Sequence, residues 1–329
     1  MEFDKNNNLE DILGVINGLL GQVEQNEINK VGKPDYPNLL ILGSSRCGST
    51  MFTQWIASLG IFSYPSNFLS RFYKAPYIGA LIYEMLTNPK YQYREEFCDI
   101  NTEITFNSSI GKTRGFKAPH EFWYFWREFM DFPEVPFSEE EFAEKFDFDN
   151  LQKELALIQK AFGKPFLFKA KIVNWYLKSM SKNVDDTIYL HMHREPIAII
   201  RSLLKAREEW TGSQENWFAW KPREYPNLIK MDKYHQVAGQ IYFIEKEILS
   251  KKKFLGDAYL SFSYEELCND PEAVYLIISN KVKEFEPSFE IPDYGGKKKF
   301  HISNPVSDED HHIKEAWTYF TKEYGALEY

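Results

Sequence analysis

In the stretch LLILGSSRCGST, residues 39–50, apolar residues run into a glycine- and serine-rich turn, and the helix-like MFTQWIASLG follows. A strand that breaks into such a loop and then opens a helix presents backbone N–H groups and a helix N-terminus to an anion. The spacing from Gly43 to Gly48 is that of a nucleoside-triphosphate loop, but the next position, where that chemistry needs Lys, is Ser49, followed by Thr50. The loop's cation is instead Arg46, ahead of Cys47 and Gly48. A second candidate anion site lies in TIYLHMHREPIAIIRSLL, where Arg194 ends an apolar strand and Pro196 sits in the first turn of a helix. Ser202 stands eight residues beyond Arg194. A magnesium-holding strand would end in Asp; this one ends in His-Arg, a fixed cation suited to a second anionic group. Two phosphate-type sites without a metal ligand point away from ATP.

The elements that must position these residues alternate. Strands are expected at 38–42, at 165–173, in TIYLHMH before Arg194, and in AYLSFS before Tyr264. Helices are expected at 50–60, 68–90, 137–163 (as one helix ending at Gly163), from Pro196 to about 207, and at 232–250. Strands alternating with helices imply an α/β fold with a central parallel sheet flanked by helices. Residues 9–23 space Leu9, Ile12, Leu13, Ile16, Leu19, Leu20 and Val23 as an amphipathic helix, packed on the main domain or free to dimerise. The expected division is an N-terminal helix and linker over 1–33, then one domain over 34–329 with a substrate-facing insertion at about 65–160.

Composition narrows the partners. The 329 residues carry 39 Lys and Arg against 48 Asp and Glu, a net charge of −9, which excludes a general nucleic-acid binder. Any anion site is therefore a local cationic cluster on an acidic protein. Cys47, Cys98 and Cys268 are too widely spaced for a disulfide framework, and no zinc-ligand spacing occurs. The adjacent His311 and His312 read as solvated. The start, MEFDKNNN, lacks the basic and apolar regions of a signal peptide, and no apolar run is long enough to span a bilayer. The expectation is a cytoplasmic enzyme with no metal, no nucleic acid and no membrane partner.

These segments resemble the signature segments of sulfotransferases that use 3′-phosphoadenosine-5′-phosphosulfate (PAPS). The first, a basic residue followed by x-G-[ST]-[ST], is matched by Arg46, Cys47, Gly48, Ser49 and Thr50, and by resemblance would cradle the 5′-phosphosulfate. The second is matched by Arg194 and Ser202, which would hold the 3′-phosphate. SYEELCNDP, which contains Tyr264, is similar to a third segment after a late strand. The resemblance spans about 40–271 and implies the P-loop-like sulfotransferase fold of bacterial type. It also implies PAPS as donor and 3′,5′-adenosine bisphosphate as product. Lys169, 25 residues before Arg194, is similar to the family's strand-end lysine; Lys171, two residues on, is the alternative. In GGKKKFHISNP (295–305), Lys297, Lys298 and Lys299 would close over the nucleotide, or else form a solvated charge run.

Transfer of a sulfuryl group needs positioning and charge stabilisation, which fixed cations can supply without magnesium. Arg46 and the loop amides are expected to stabilise the bridging and departing phosphate oxygens. The histidine that many relatives carry after the strand-end lysine is missing here, where Ala170, Ile172 and Val173 stand. GFKAPHEFW offers His120 or Glu121 as the base, beside Lys117. His191 and His193 read as structural. The acceptor is expected to be a small molecule offering a hydroxyl or an amine or carbamoyl nitrogen. Phe122–Trp126 and WFAWKP (217–222) could line an apolar or cation-holding pocket for it. The competing readings are a nucleotide-dependent kinase, disfavoured by Ser49 and the missing Asp, and an inactive nucleotide-binding protein.

Overall fold

A computed structural model describes residues 6–329 apart from 95, 101, 102, 107, 110, 305 and 307. Residues 1–5 of the N-terminal segment and Pro305 of the lysine-rich segment thus lie outside the described residues. In chain order, the first half comprises α1 (Asn7–Ile28), β1 (Asn38–Leu42), α2 (Ser49–Ser58) and α3 (Pro76–Thr87). The short strands β2 (Ser108–Ser109) and β3 (Lys112–Thr113) follow, then α4 (Trp123–Arg127), α5 (Glu139–Lys145), α6 (Phe148–Phe162) and β4 (Phe166–Lys169). The second half comprises α7 (Leu177–Asn183), β5 (Thr187–His193), α8 (Pro196–Thr211), α9 (Tyr225–Leu228) and α10 (Lys233–Leu255). It closes with β6 (Tyr259–Ser263), α11 (Tyr264–Asn269), α12 (Pro271–Phe285) and α13 (Asp310–Tyr324).

Four of these strands form a parallel sheet in the order β4-β1-β5-β6. β1 is buried along its whole length, as a central strand covered on both faces must be. Leu39 and Ile41 point into a core completed by Phe52, Trp55, Leu203 and Ile241. Leu40 and Leu42 point into the opposite core with Trp126, Phe142, Phe168 and Tyr176. The expected α/β sheet is therefore present. In such a sheet ligands bind beyond the carboxyl ends of the strands, and the loop after β1, Lys169, Arg194 and Tyr264 all lie at that edge.

Three expected elements differ in extent. The strand expected over 165–173 stops at Lys169, and a 3₁₀ turn over Lys171–Val173 follows. Lys171 and Lys169 therefore do not share a strand face. The helix expected over 137–163 is two helices, because Phe146 is extended and Asp147 starts a new helix by accepting the Asn150 N–H at 3.1 Å. The helix expected over 68–90 is a 3₁₀ turn at Leu69–Arg71 and then α3, with Pro76 at its first position. No helix among the described residues is long and apolar enough to cross a membrane.

α1 packs on α3 and α6 through buried polar groups as well as Leu13 and Ile28. Glu24 accepts the Tyr77 N–H at 2.6 Å and the Ile78 N–H at 3.2 Å, capping α3, and shares a hydrogen bond with Glu154 of α6. Burial raises both carboxyls, and the Glu24 charge raises Glu154 further, so the folded pair retains a proton between them. Because the folded state binds that proton more tightly, its stabilisation is present in acid and lost as pH climbs from the ordinary carboxyl range near 4.5. Glu154→Gln, which keeps a donor for Glu24, is expected to flatten this fall and to gain about 1–2 kcal/mol at alkaline pH. Thermal denaturation followed from acid to alkaline pH reads the effect; parallel profiles for variant and wild type would rule it out.

Candidate active site

The loop between β1 and α2 bends as only glycine allows at two points. Gly43 has φ 126°, and a side chain there would run into the carbonyl oxygen of Met192. Gly48 has φ 93°, and an added Cβ would lie 2.6 Å from the ring of Tyr264. Between them Arg46 holds φ 68°, an uncommon conformation for a residue with a side chain. From beneath, Asn174 Nδ2 donates to the Gly43 carbonyl at 3.1 Å. The Ser44 N–H donates to Glu245 at 2.8 Å, and Lys171 donates to the Ser44 carbonyl.

Two of these anchors, Glu245 and Lys171, are buried ionisable groups. Glu245 also bonds His191 Nε2 at 2.7 Å, and His191 Nδ1 meets the Tyr259 hydroxyl at 2.7 Å, the structural role expected for that histidine. Burial alone would raise the Glu245 carboxyl, but His191 and the Ser44 donors hold it below its ordinary value. Lys171 lies 3.7 Å from Cys47 Sγ, and burial lowers its ammonium. The Cys47 side chain is wholly buried and faces this lysine. Neither Asn174 nor Glu245 carried a sequence signal.

Along the sheet edge, the strand order sets Lys169, the loop, Arg194 and Tyr264 side by side. Arg46 Nε donates to Ser202 Oγ at 3.0 Å, and Arg194 Nη1 reaches the Arg46 carbonyl at 3.4 Å. The loop arginine thus lies with Arg194 and Ser202, not with Lys169. Burial, then the Arg194 charge, lowers the Arg46 guanidinium from its ordinary value, against a smaller opposing effect of Cys47 and Glu209. The Arg194 guanidinium sits 4.3 Å over the Tyr264 ring. It donates to Asn304 Oδ1 at 3.1 Å and to the Ser303 carbonyl. Asn304, which the sequence did not single out, is itself held by Glu265 at 3.1 Å. Glu195 turns away to cap α8, accepting the Ile197 and Ala198 N–H groups at 3.1 and 2.7 Å.

On the loop's other side Lys169 donates to Thr50 Oγ1 at 3.3 Å and forms an ion pair with Glu121. Glu121 also accepts Trp123 Nε1 at 2.8 Å. Burial would raise this carboxyl, but Lys169, with help from Lys171 and Trp123, holds it down at about 2. His120 is lowered to about 4 by burial first and then by Lys112, so its ring is neutral at physiological pH. Its Nδ1 accepts the Phe122 N–H at 2.9 Å, which leaves the ring proton on Nε2.

Other candidates stand apart. Lys117 lies over the Tyr83 ring and lines a cavity of about 660 Å³ with Tyr64 and Lys164, away from the loop. Lys298 and Lys299 are exposed, and Lys297 rests on Phe106 and Phe300 at 5.0 and 5.7 Å. From that segment it is Ser303 and Asn304 that reach Arg194. In WFAWKP, Trp217 stacks on buried Arg207, while Trp220 meets Trp123 at 4.9 Å.

Gly48→Ala should cost roughly 2–4 kcal/mol, from the left-handed backbone and the collision with Tyr264. Adding Tyr264→Ala removes the collision, so the two costs should be non-additive by about 1–2 kcal/mol in a denaturation cycle. Strict additivity would contradict the contact.

No family model and no curated protein matches the chain. Solved structures do. The sulfotransferase STF1 from Mycobacterium tuberculosis H37Rv is 14% identical, over 93% of this chain and 83% of its own, at a TM-score of 0.52. The sulfotransferase STF9 from Mycobacterium avium is 11% identical, over 97% of this chain and 76% of its own, at a TM-score of 0.48. At these identities the likeness speaks for architecture, and the first of the two carries it: the chain has the sulfotransferase fold.

Proposed function

We propose that this chain is a PAPS-dependent sulfotransferase that moves the sulfuryl group, in line and without a metal, to a hydroxyl or an amine or carbamoyl nitrogen of a small-molecule acceptor. The observation that carries the reading is the placement of cations on both sides of one anion loop, Arg46 with Ser202 and Arg194 on one side and Lys169 on the other. A 3′-phosphate suits the first cluster. The loop from Gly48 through Thr50 suits a 5′-phosphosulfate, and Lys169 stands where charge would develop on the departing oxygen. Tyr264 supports the reading as the ring that spaces the loop from Arg194.

In this reading Glu121 is the base. His120 is ill suited, because its Nδ1 lone pair is spent on the Phe122 N–H and its Nε2 bears a proton. Glu121 is a weak base while Lys169 grips it. Charge growing on the leaving phosphate draws the ammonium away, and the carboxylate gains basicity as the acceptor proton must leave. Base and electrophile would thus be coupled through one ion pair.

The test follows labelled sulfuryl transfer from PAPS to a panel of phenols, alcohols and amines. Glu121→Gln should lower turnover about 10²–10⁴-fold while bisphosphate affinity stays within about twofold; His120→Gln should remain within about tenfold of wild type. Full activity in Glu121→Gln, or collapse in His120→Gln alone, would overturn the assignment.

A further inference from the structure

The surroundings of the Lys169–Glu121 pair hold more positive charge than the pair uses. The β2–β3 hairpin lies at the start of α2: a Cβ on Gly111 would sit 3.6 Å from Thr50 Oγ1, the same oxygen that accepts from Lys169. The next residue is Lys112, exposed at the hairpin's edge. The hairpin is tied to the turn that carries Arg71, because Asn67 Nδ2 donates to the Thr113 and Gly115 carbonyls at 3.4 and 2.9 Å. The same segment pairs with the chain ahead of the proposed base, through the Ser66–Pro119 bridge and the His120 N–H to Pro65 carbonyl bond of 2.7 Å. The segments that carry Lys112 and Arg71 are thus both tied to the chain around His120, and after burial both of their charges help to keep that imidazole neutral.

Neither cation is neutralised locally. Among the described residues neither Arg71 nor Lys112 has a carboxylate within ion-pair distance. The nearby acids are already engaged: Glu121 with Lys169, Glu128 with Lys74 at 3.4 Å, and Glu10 with the Tyr124 hydroxyl at 2.8 Å. On a chain with a net charge of −9, two exposed cations without an ion pair, both acting on the residue next to the proposed base, favour an anion there. The surroundings of Glu121 on this side are aromatic: Trp123, which donates to it, meets Trp220 with the rings tilted by 42°, and Trp175 meets Trp220 edge-on at 6.0 Å.

We propose that the acceptor is an anionic hydroxy compound, with a carboxylate, sulfate or phosphate group bound by Arg71 and Lys112 and an apolar body against Trp123 and Trp220. This rests on the sulfotransferase reading for the word acceptor, but the anion site stands or falls by itself. It also decides between the two pockets the aromatic residues alone allowed, since an organic cation would meet Arg71 and Lys112 with like charge.

The test uses three phenols of one shape and different charge: 4-hydroxyphenylacetate, 4-hydroxyphenylacetamide and tyramine. Their affinities are measured by calorimetry at low salt, with and without saturating 3′,5′-adenosine bisphosphate. The anion should bind about tenfold tighter than the amide, and tyramine weakest. The double variant Arg71→Gln with Lys112→Gln, both exposed positions, should bring anion and amide within about twofold and leave bisphosphate binding unchanged. Equal or reversed ranking in the wild type, an undiminished preference in the double variant, or no binding of the anion would each overturn the proposal. Anion preference without bisphosphate binding would keep this site and refute the transferase; bisphosphate binding without the preference would do the opposite.

Discussion

The edge of Tyr264's ring fills the space that a side chain on Gly48 would need, and the Arg194 guanidinium covers the ring itself. That stack fixes the separation between the loop and the strand-end arginine, which no single element could set. It works because β5 and β6 are neighbours in the sheet, so that the residues leaving each strand arrive together. A capping box made by Ser263 and Glu266 holds Tyr264 at the head of α11, and the stack inherits that rigidity. A site assembled from parts of four strands depends on such spacers more than on any one contact.

Beneath the loop the protein maintains buried charge rather than apolar packing. Lys171 and Glu245 are almost wholly excluded from water and compensate one another through the backbone of Ser44, and the equally buried His191 ring is hydrogen-bonded to Glu245. The arrangement is costly in isolation and tolerable only because each group is bonded. Its benefit is a loop whose carbonyls are tied inward by donors from below. An acidic chain and a cationic edge are compatible because the cations that matter to the loop, Arg46, Lys169 and Arg194, are gathered by the strand ends.

Much of the site was legible because its residues are unusual for their positions. An arginine in a glycine loop, a His-Arg strand end before Pro196, and Tyr264 after a strand each stand out by type and spacing. The α/β architecture followed from alternation of apolar strands and helices. What stayed hidden depends on contacts between distant residues: Ser44 and Glu245 are 201 positions apart, and Asn304 meets Arg194 across 110. The strand period misplaced Lys171, since the chain leaves the sheet one residue after Lys169 and turns beneath the loop. Pairing of Glu121 with Lys169 was equally unreadable, because nothing local to GFKAPHEFW announces the strand it will meet.

The most direct test of the central claim is calorimetric binding of 3′,5′-adenosine bisphosphate and of ATP, each without magnesium, to the wild type and to Arg46→Ala and Arg194→Ala. Two arginines converging on one side of a loop that lacks the triphosphate lysine should favour the bisphosphate, with binding weakened at least about tenfold in each variant. Preference for ATP, a requirement for magnesium, or indifference to both arginines would contradict the reading and return the chain to the phosphotransferases.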